Sequence, residues 1–222
     1  MIEKNLYLIK QNIVKACETY NRKPEDVNIV AVSKTIASEK IIEAINLGCK
    51  IFGENYIQEA KQKWVDLRKD YPQIKLHFVG NLQSNKAKEA VELFDCIESV
   101  DNEKLAREIS KEQKKQQKNR EIFIQVNIGE EPQKSGVAIE NLSNFVNFCK
   151  KDLELNVVGL MAVPPTGESA SPYFALLAKL AYENNLAKLS MGMSADYEEA
   201  IALNTTHIRL GTAIFGARIS KV

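Results

Sequence analysis

The 222 residues suit one large domain or two small ones, and an apolar content of 45% allows a substantial core. Charged residues make up 27% and nearly cancel to a formal net charge of +1, which points away from nucleic acid and from a membrane surface. The four cysteines (Cys17, Cys49, Cys96, Cys149) form no CxxC pair and the two histidines, His77 and His207, have no metal-site spacing, so reduced thiols in a cytoplasmic protein are expected.

The opening Met1-Ile-Glu-Lys-Asn-Leu6 has no signal-peptide core, and no apolar run approaches transmembrane length. Ile2, Leu6, Ile9, Ile13 and Cys17 recur at helical spacing and predict an amphipathic helix ending near Asn21-Arg-Lys-Pro24. A strand-then-helix pattern follows. The first strand covers Val27 to Lys34; Ser38 caps a helix over Glu39 to Leu47, closed by Gly48. The second strand is Lys50 to Asn55, with Asn55 and Gln58 as an N-cap pair for a helix from Tyr56 to Arg68. The third is Lys75 to Gly80, with a helix from Asn85 to Phe94. The fourth is Cys96 to Val100, and Asp101 caps a helix from Asn102 to Lys118.

The fifth strand is Ile122 to Ile128, followed by the polar loop Gly129 to Gly136 and a helix from Ile139 to Lys150. The sixth is Val157 to Val163, then Pro164-Pro165. Ser171-Pro172 reads as a cap with proline at the first helical position, starting a helix from Tyr173 to Asn184. The seventh is Lys188 to Met193, with Ser194 capping a helix from Ala195 to Leu203; the eighth is His207 to Gly211.

Eight short apolar strands, each but the last clearly followed by a helix, predict an α/β fold. It is a single (β/α)8 TIM-type barrel with an extra N-terminal helix, one domain over residues 1–222. A doubly wound open sheet is the alternative, though it usually has fewer strands. No linker or repeat argues for two domains. The run from Lys111 to Arg120 lacks interleaved aromatics and reads as a solvated helix end.

In such a barrel the active site is the C-terminal rim. The polar residues at strand ends are Lys34, Asn55, His77, Asn127, Ser194, Arg209, Gly211 and Thr212. Lys34 ends the apolar run Ile29-Val-Ala-Val-Ser, where partial burial disfavours the ammonium and makes the amine a nucleophile for aldehydes. The plain alternative is a snorkelling lysine with its head in water. Ser194 at a helix start and the small Gly211-Thr-Ala turn make a phosphate site of the loops after strands seven and eight. As a structural pair they are an N-cap and a tight turn.

Arg209 shares a strand face with Gly211, so it points into the barrel. There it either pairs with an internal carboxylate such as Glu54 or donates to a ligand ring nitrogen. His77 reads as a packed histidine beneath the mouth, and His207 starts a strand at the wrong end for catalysis. A reactive lysine and a phosphate site suit a phosphorylated aldehyde: a sugar phosphate for a Schiff-base aldolase, or pyridoxal 5′-phosphate (PLP). Arg209 favours PLP, since a sugar has no ring nitrogen.

Seven stretches then carry a resemblance. They are Ala31-Val-Ser-Lys-Thr35, Phe52-Gly-Glu-Asn-Tyr56, His77-Phe-Val-Gly-Asn-Leu-Gln-Ser-Asn-Lys86, Lys134-Ser-Gly136, Gly159-Leu-Met-Ala162, Ser190-Met-Gly-Met-Ser194 and Arg209-Leu-Gly-Thr-Ala-Ile-Phe-Gly-Ala-Arg218. In this order the chain resembles the YggS/PROSC-type pyridoxal phosphate homeostasis proteins. The resemblance implies a barrel like the alanine racemase N-terminal domain, with PLP held covalently on Lys34 as an internal aldimine. It implies that Ser194, Gly211 and Thr212 bind the phosphate, that Arg209 faces the pyridine nitrogen, and that Asn55 lies beside the cofactor. Lys134 matches a loop lysine near the site. Ile36 stands where many relatives carry a second lysine, and the segment from Pro164 to Ala187 is short for the family.

An arginine at the ring nitrogen keeps it unprotonated and weakens the electron sink. Six residues follow Gly216, too few for a second domain carrying a tyrosine base. The expected function is therefore intracellular PLP (vitamin B6) homeostasis by a monomer without robust turnover, with PLP-dependent apoenzymes as recipients. The rivals are a weak racemase or lyase, using His77, Lys134 or Tyr56 as acid/base, and a plain protein-interaction barrel.

Overall fold

The computed structural model describes residues 1–217, so Arg218, the last residue of the seventh stretch, lies outside them. Eight parallel strands close into a barrel in chain order. They are β1 (Asn28–Val32), β2 (Ile51–Glu54), β3 (Lys75–Phe78), β4 (Cys96–Val100), β5 (Glu121–Gln125), β6 (Asn156–Met161), β7 (Lys188–Ser190) and β8 (His207–Leu210). β8 closes the sheet on β1, pairing Asn28 with His207 and Ala31 with Leu210. Every residue of β4 and β8 is buried, including the polar Glu98, Ser99, His207 and Arg209.

The helices are α1 (Ile2–Thr19), α2 (Ser38–Asn46), α3 (Ile57–Asp70), α4 (Ala87–Leu93), α5 (Glu103–Gln116), α6 (Leu142–Asn147), α7 (Ser171–Glu183), α8 (Tyr197–Ala202) and α9 (Thr212–Phe215). The extra helix α1 buries the predicted stripe of Ile2, Leu6, Ile9, Ile13 and Cys17. It is fastened to the far end of the chain: the Asn5 amide donates to Ile214 O at 2.9 Å and the Asn12 amide to the Tyr197 hydroxyl at 3.0 Å. Trp64 of α3 is fully buried, with its ring centroid 5.0 Å from that of Phe52. All four cysteines are free and buried. No helix among the described residues is long and apolar enough to cross a membrane.

The element boundaries differ from the sequence reading in one consistent way. Every strand but β4, which keeps Cys96–Val100, ends before its expected C-terminal residue; β1 ends at Val32, so Lys34 lies in a turn. Helix caps also move. Ala37 precedes α2 and Tyr56 precedes α3, and neither the expected Ser38 nor Asn55 supplies a cap bond. Asn102, not Asp101, caps α5 by accepting from Leu105 N at 2.9 Å. Ser171 lies inside the first turn of α7 and donates to Glu199 at 2.5 Å.

Candidate functional site at the C-terminal rim

Lys34 is half-buried in the turn after β1. Thr35 beside it has φ +64°, a left-handed conformation that strains a β-branched residue. The turn is held from outside the barrel by α3. Lys63 Nζ donates to Ser33 O at 2.8 Å, and Glu59 Oε1 accepts from Thr35 N at 2.5 Å and from Lys63 at 2.8 Å. Beneath them the fully buried Glu54 Oε1 accepts from Ser33 Oγ at 2.7 Å, Trp64 Nε1 at 3.0 Å and Lys63 Nζ at 2.7 Å. Both residues flanking Lys34 are thus pinned to β2 and α3. Sequence reasoning did not assign Glu59 and Lys63; their i, i+4 spacing on a helix looks like an ordinary surface pair.

Asn55 directly follows β2. A Cβ on Gly80 would lie 2.3 Å from Asn55 O, so only glycine lets the end of β3 pass there. The Asn55 Oδ1 atom is buried with no hydrogen-bond partner among the described residues. An orphaned acceptor at that depth is costly unless something donates to it.

Across the mouth, Ser194 is not the cap of α8, which starts after Asp196. Its Oγ accepts instead from Ala213 N, in the first turn of α9, at 3.2 Å. That bond ties the loop after β7 to the loop after β8 and brings Ser194 next to Gly211 and Thr212. Gly192, at φ +93°, makes the turn that leads into Ser194, and its carbonyl accepts from Arg209 N at 2.9 Å. The loop after β5 spans the rim: Lys134 pairs with Glu131 and donates to Pro164 O at 3.1 Å, while Asn81 donates to Ser135 Oγ at 3.3 Å. Ile36 packs on the hydrophobic core.

The barrel interior is polar below the mouth. Arg209 is 6% exposed and points inward as expected, but Glu54 is not its partner. Its Nη1 donates to Ser190 O at 2.8 Å and Ser190 Oγ at 2.7 Å, and its Nη2 to Ala162 O at 2.9 Å. Ser190 Oγ donates on to Glu98 Oε2 at 2.5 Å, and His77 Nδ1 lies 2.6 Å from Glu98 Oε1. Burial raises the Glu98 carboxyl, but the His77 hydrogen bond and the charges of His77, Arg209 and His207 outweigh it and hold it at about 2. His77 therefore packs beneath the mouth, as read from the sequence. The chain spacing showed no metal-ligand pattern, yet the barrel brings His77, Cys96 and Glu98 within 4.8 Å of one another. Both Glu98 oxygens are engaged in hydrogen bonds, and burial keeps the Cys96 thiol well above its ordinary pKa.

His207 begins β8 at the opposite end, with Thr206 Oγ1 2.8 Å from its Nδ1. Burial pushes its imidazole down to about 4 from 6.5. Between those values the unfolded chain binds a proton that the folded chain does not, so stability falls as pH drops from 6.5 to 4 and levels below it. His207→Gln should remove this part of the slope. Urea unfolding at about pH 7 and pH 4.5 should show a loss about 2 kcal/mol smaller than in the wild type. An unchanged slope would refute a neutral buried His207.

The rim set suits a phosphorylated aromatic aldehyde. Lys34 offers an amine, Ser194 and the turn at Gly211-Thr212 offer donors to an anion, and the orphaned Asn55 Oδ1 awaits a donor. A Cβ on Gly211 would meet only Val32, at 3.5 Å or more, so the space beside it is open. A separate apolar hollow of about 300 Å³, under α1 at the N-terminal end of the barrel, is lined in part by Ile13, Val14, Pro24 and Cys49. It lies at the opposite end from the C-terminal rim and lacks that set of polar groups.

Comparisons with known proteins agree with the architecture. Residues 5–219 match the family model for the alanine racemase N-terminal domain. The pyridoxal phosphate homeostasis protein of Pseudomonas aeruginosa is 40% identical over 222 residues, which cover 98% of this chain and 96% of that one. PipY of Synechococcus elongatus, solved with PLP bound, is similar at a TM-score of 0.84 and 32% identity, covering 97% of this chain and 100% of that one. Its structure without PLP gives 0.87 and 33%, with the same coverage. The alanine racemase of Corynebacterium glutamicum shares the fold at a TM-score of 0.74 and 15% identity, with 100% of this chain covering 62% of that one.

Proposed function

The chain belongs to the pyridoxal phosphate homeostasis proteins of the alanine racemase N-terminal domain family, and from that premise we propose that it binds pyridoxal 5′-phosphate and serves intracellular vitamin B6 homeostasis without robust turnover. The observation that supports this reading is at the rim: Lys34, the orphaned buried Asn55 Oδ1, Ser194 and the Gly211-Thr212 turn follow β1, β2, β7 and β8 at the same end of the barrel. Lys34 holds the cofactor through a Schiff base. Ser194, Gly211 and Thr212 take the phosphate, Asn55 lies beside the ring, and Arg209 faces the ring nitrogen. When bound, the cofactor supplies an electrophilic aldehyde and an electron sink. A fixed guanidinium at the ring nitrogen opposes its protonation and weakens that sink.

The residues available for acid/base work are otherwise placed. His77 is 2% exposed and engaged with Glu98, Lys134 is engaged with Glu131 and Pro164 O, and Tyr56 is 60% exposed. This favours a holder over a racemase or lyase. One monomeric barrel domain over 1–222 carries the activity in the cytoplasm, in keeping with its reduced cysteines. PLP-dependent apoenzymes are the recipients. Purified chain mixed with PLP should turn yellow, release cofactor to an added apoenzyme, and leave L-alanine unracemised. Racemisation at enzyme-like rates would overturn the holder reading, and the absence of a visible band would overturn binding.

A further inference from the structure

Arg209 is a buried cation whose hydrogen-bond partners, among the described residues, include no carboxylate. A guanidinium out of water needs an opposite charge close by. The barrel supplies one a single hydrogen bond further in. Ser190 Oγ accepts from Arg209 and donates to Glu98, so the hydroxyl is a polarised bridge between cation and anion. Glu98 is fully buried, and its other oxygen faces His77. The charged and titratable groups around this chain come from three strands and the rim. His77 and His207 stand on β3 and β8, and Cys96 precedes Glu98 on β4. Asp196 is a weaker influence on Arg209 than Glu98, with its carboxylate accepting from Met193 N at 2.5 Å. Glu98 is thus the anion built into the floor of the site, and nothing in the homeostasis role by itself calls for it.

We propose that Glu98, acting through Ser190, is the counter-charge of Arg209, and that this balance keeps the proton on Lys34 Nζ when the cofactor is attached there. The inference rests on the reading that Lys34 binds PLP and that Arg209 faces the ring. Alone, Arg209 would make the ring end of the site positive and drive that proton off. With Glu98 behind it, the guanidinium still donates and orients, but its field at the lysine is largely cancelled. Glu98 and Ser190 act through Arg209 and are positioning residues.

The test is a pH titration of the visible band of the PLP-loaded protein, comparing wild type with Glu98→Gln, an isosteric change that removes the charge. The midpoint should fall by roughly 0.5–1 pH unit, the order of effect expected from losing one charge inside a partly screened protein site. A purely structural role for Glu98 would change thermal stability and leave the midpoint in place. If Glu98→Gln does not fold, Ser190→Ala takes its place; it keeps the carboxylate and removes the bridge, and the midpoint should fall by a smaller amount. A folded, PLP-loaded variant with the wild-type midpoint overturns the inference and leaves the proposed function standing. A wild-type protein with no visible band overturns the proposed function itself.

Discussion

Lys34→Ala should abolish the yellow band that PLP forms with the wild-type chain, and borohydride should then fix no phosphopyridoxyl group on the protein. The expected loss of affinity is at least about 100-fold, because a covalent link is replaced by contacts to phosphate and ring alone. Lys34→Arg should behave the same way: arginine keeps the positive charge but forms no Schiff base under these conditions. This control separates loss of the amine from loss of charge. Lys34 is suited to the task by its surroundings as much as by its chemistry. Thr35, at φ +64°, and the bonds from Ser33 O and Thr35 N to α3 fix the turn that presents it. Tryptic mapping of the borohydride-reduced wild type should place the label on Lys34. A label on Lys134, the half-buried loop lysine, would sink the assignment.

Lys63→Met should have the largest effect on stability. Lys63 Nζ lies 2.7 Å from Glu54, whose side chain is 0% exposed, and is the cation that balances it. Met keeps most of the length and apolar bulk of the side chain but leaves a buried carboxylate without its counter-charge. Breaking such a pair costs about 3 kcal/mol, or roughly 10 °C in Tm for a chain of this size. The double variant Lys63→Met/Glu54→Gln should recover most of the loss, since an amide needs no counter-ion; additive losses would refute the coupling. The same substitution frees Ser33 O and loosens Glu59, so affinity for PLP should fall roughly tenfold even though Lys63 does not touch the site. Unchanged PLP affinity in a destabilised protein would show that the brace supports only the fold.

The rim residues were legible because strand ends can be read from apolar runs and because a closed barrel gathers those ends at one face. Lys34, Asn55, Arg209, Gly211 and Thr212 are read this way, and the structure places them in or just after β1, β2 and β8. Ser194 was found for a reason the structure revises: it does not cap α8 but receives Ala213 N from the neighbouring loop. Glu98 and Ser190 were not found as partners, although both lie inside stretches read as strands. A glutamate within an apolar strand is a visible oddity, and Cys96-Ile-Glu98 offered that signal. What it could not show is that β4 and β7, with β5 and β6 between them in the barrel, place Glu98 and Ser190 2.5 Å from one another. Glu59 and Lys63 were hidden in the opposite way, as a pair too ordinary to notice.

The amino-acid sequence alone determined the alternation of eight strands with helices, the opening amphipathic helix and the chemistry at each strand end. Those are local properties: periodicity, turn residues and residue type act over a few positions, and mostly buried strands show in apolar runs. Tertiary structure alone decided which polar groups face which. The Ser33–Glu54 bond behind Lys34 and the Arg209–Ser190–Glu98–His77 chain join residues 19 to 92 positions apart, brought together by barrel closure. Distances of that kind follow from packing and register rather than from local preference, so only the folded barrel shows where the buried charges are balanced.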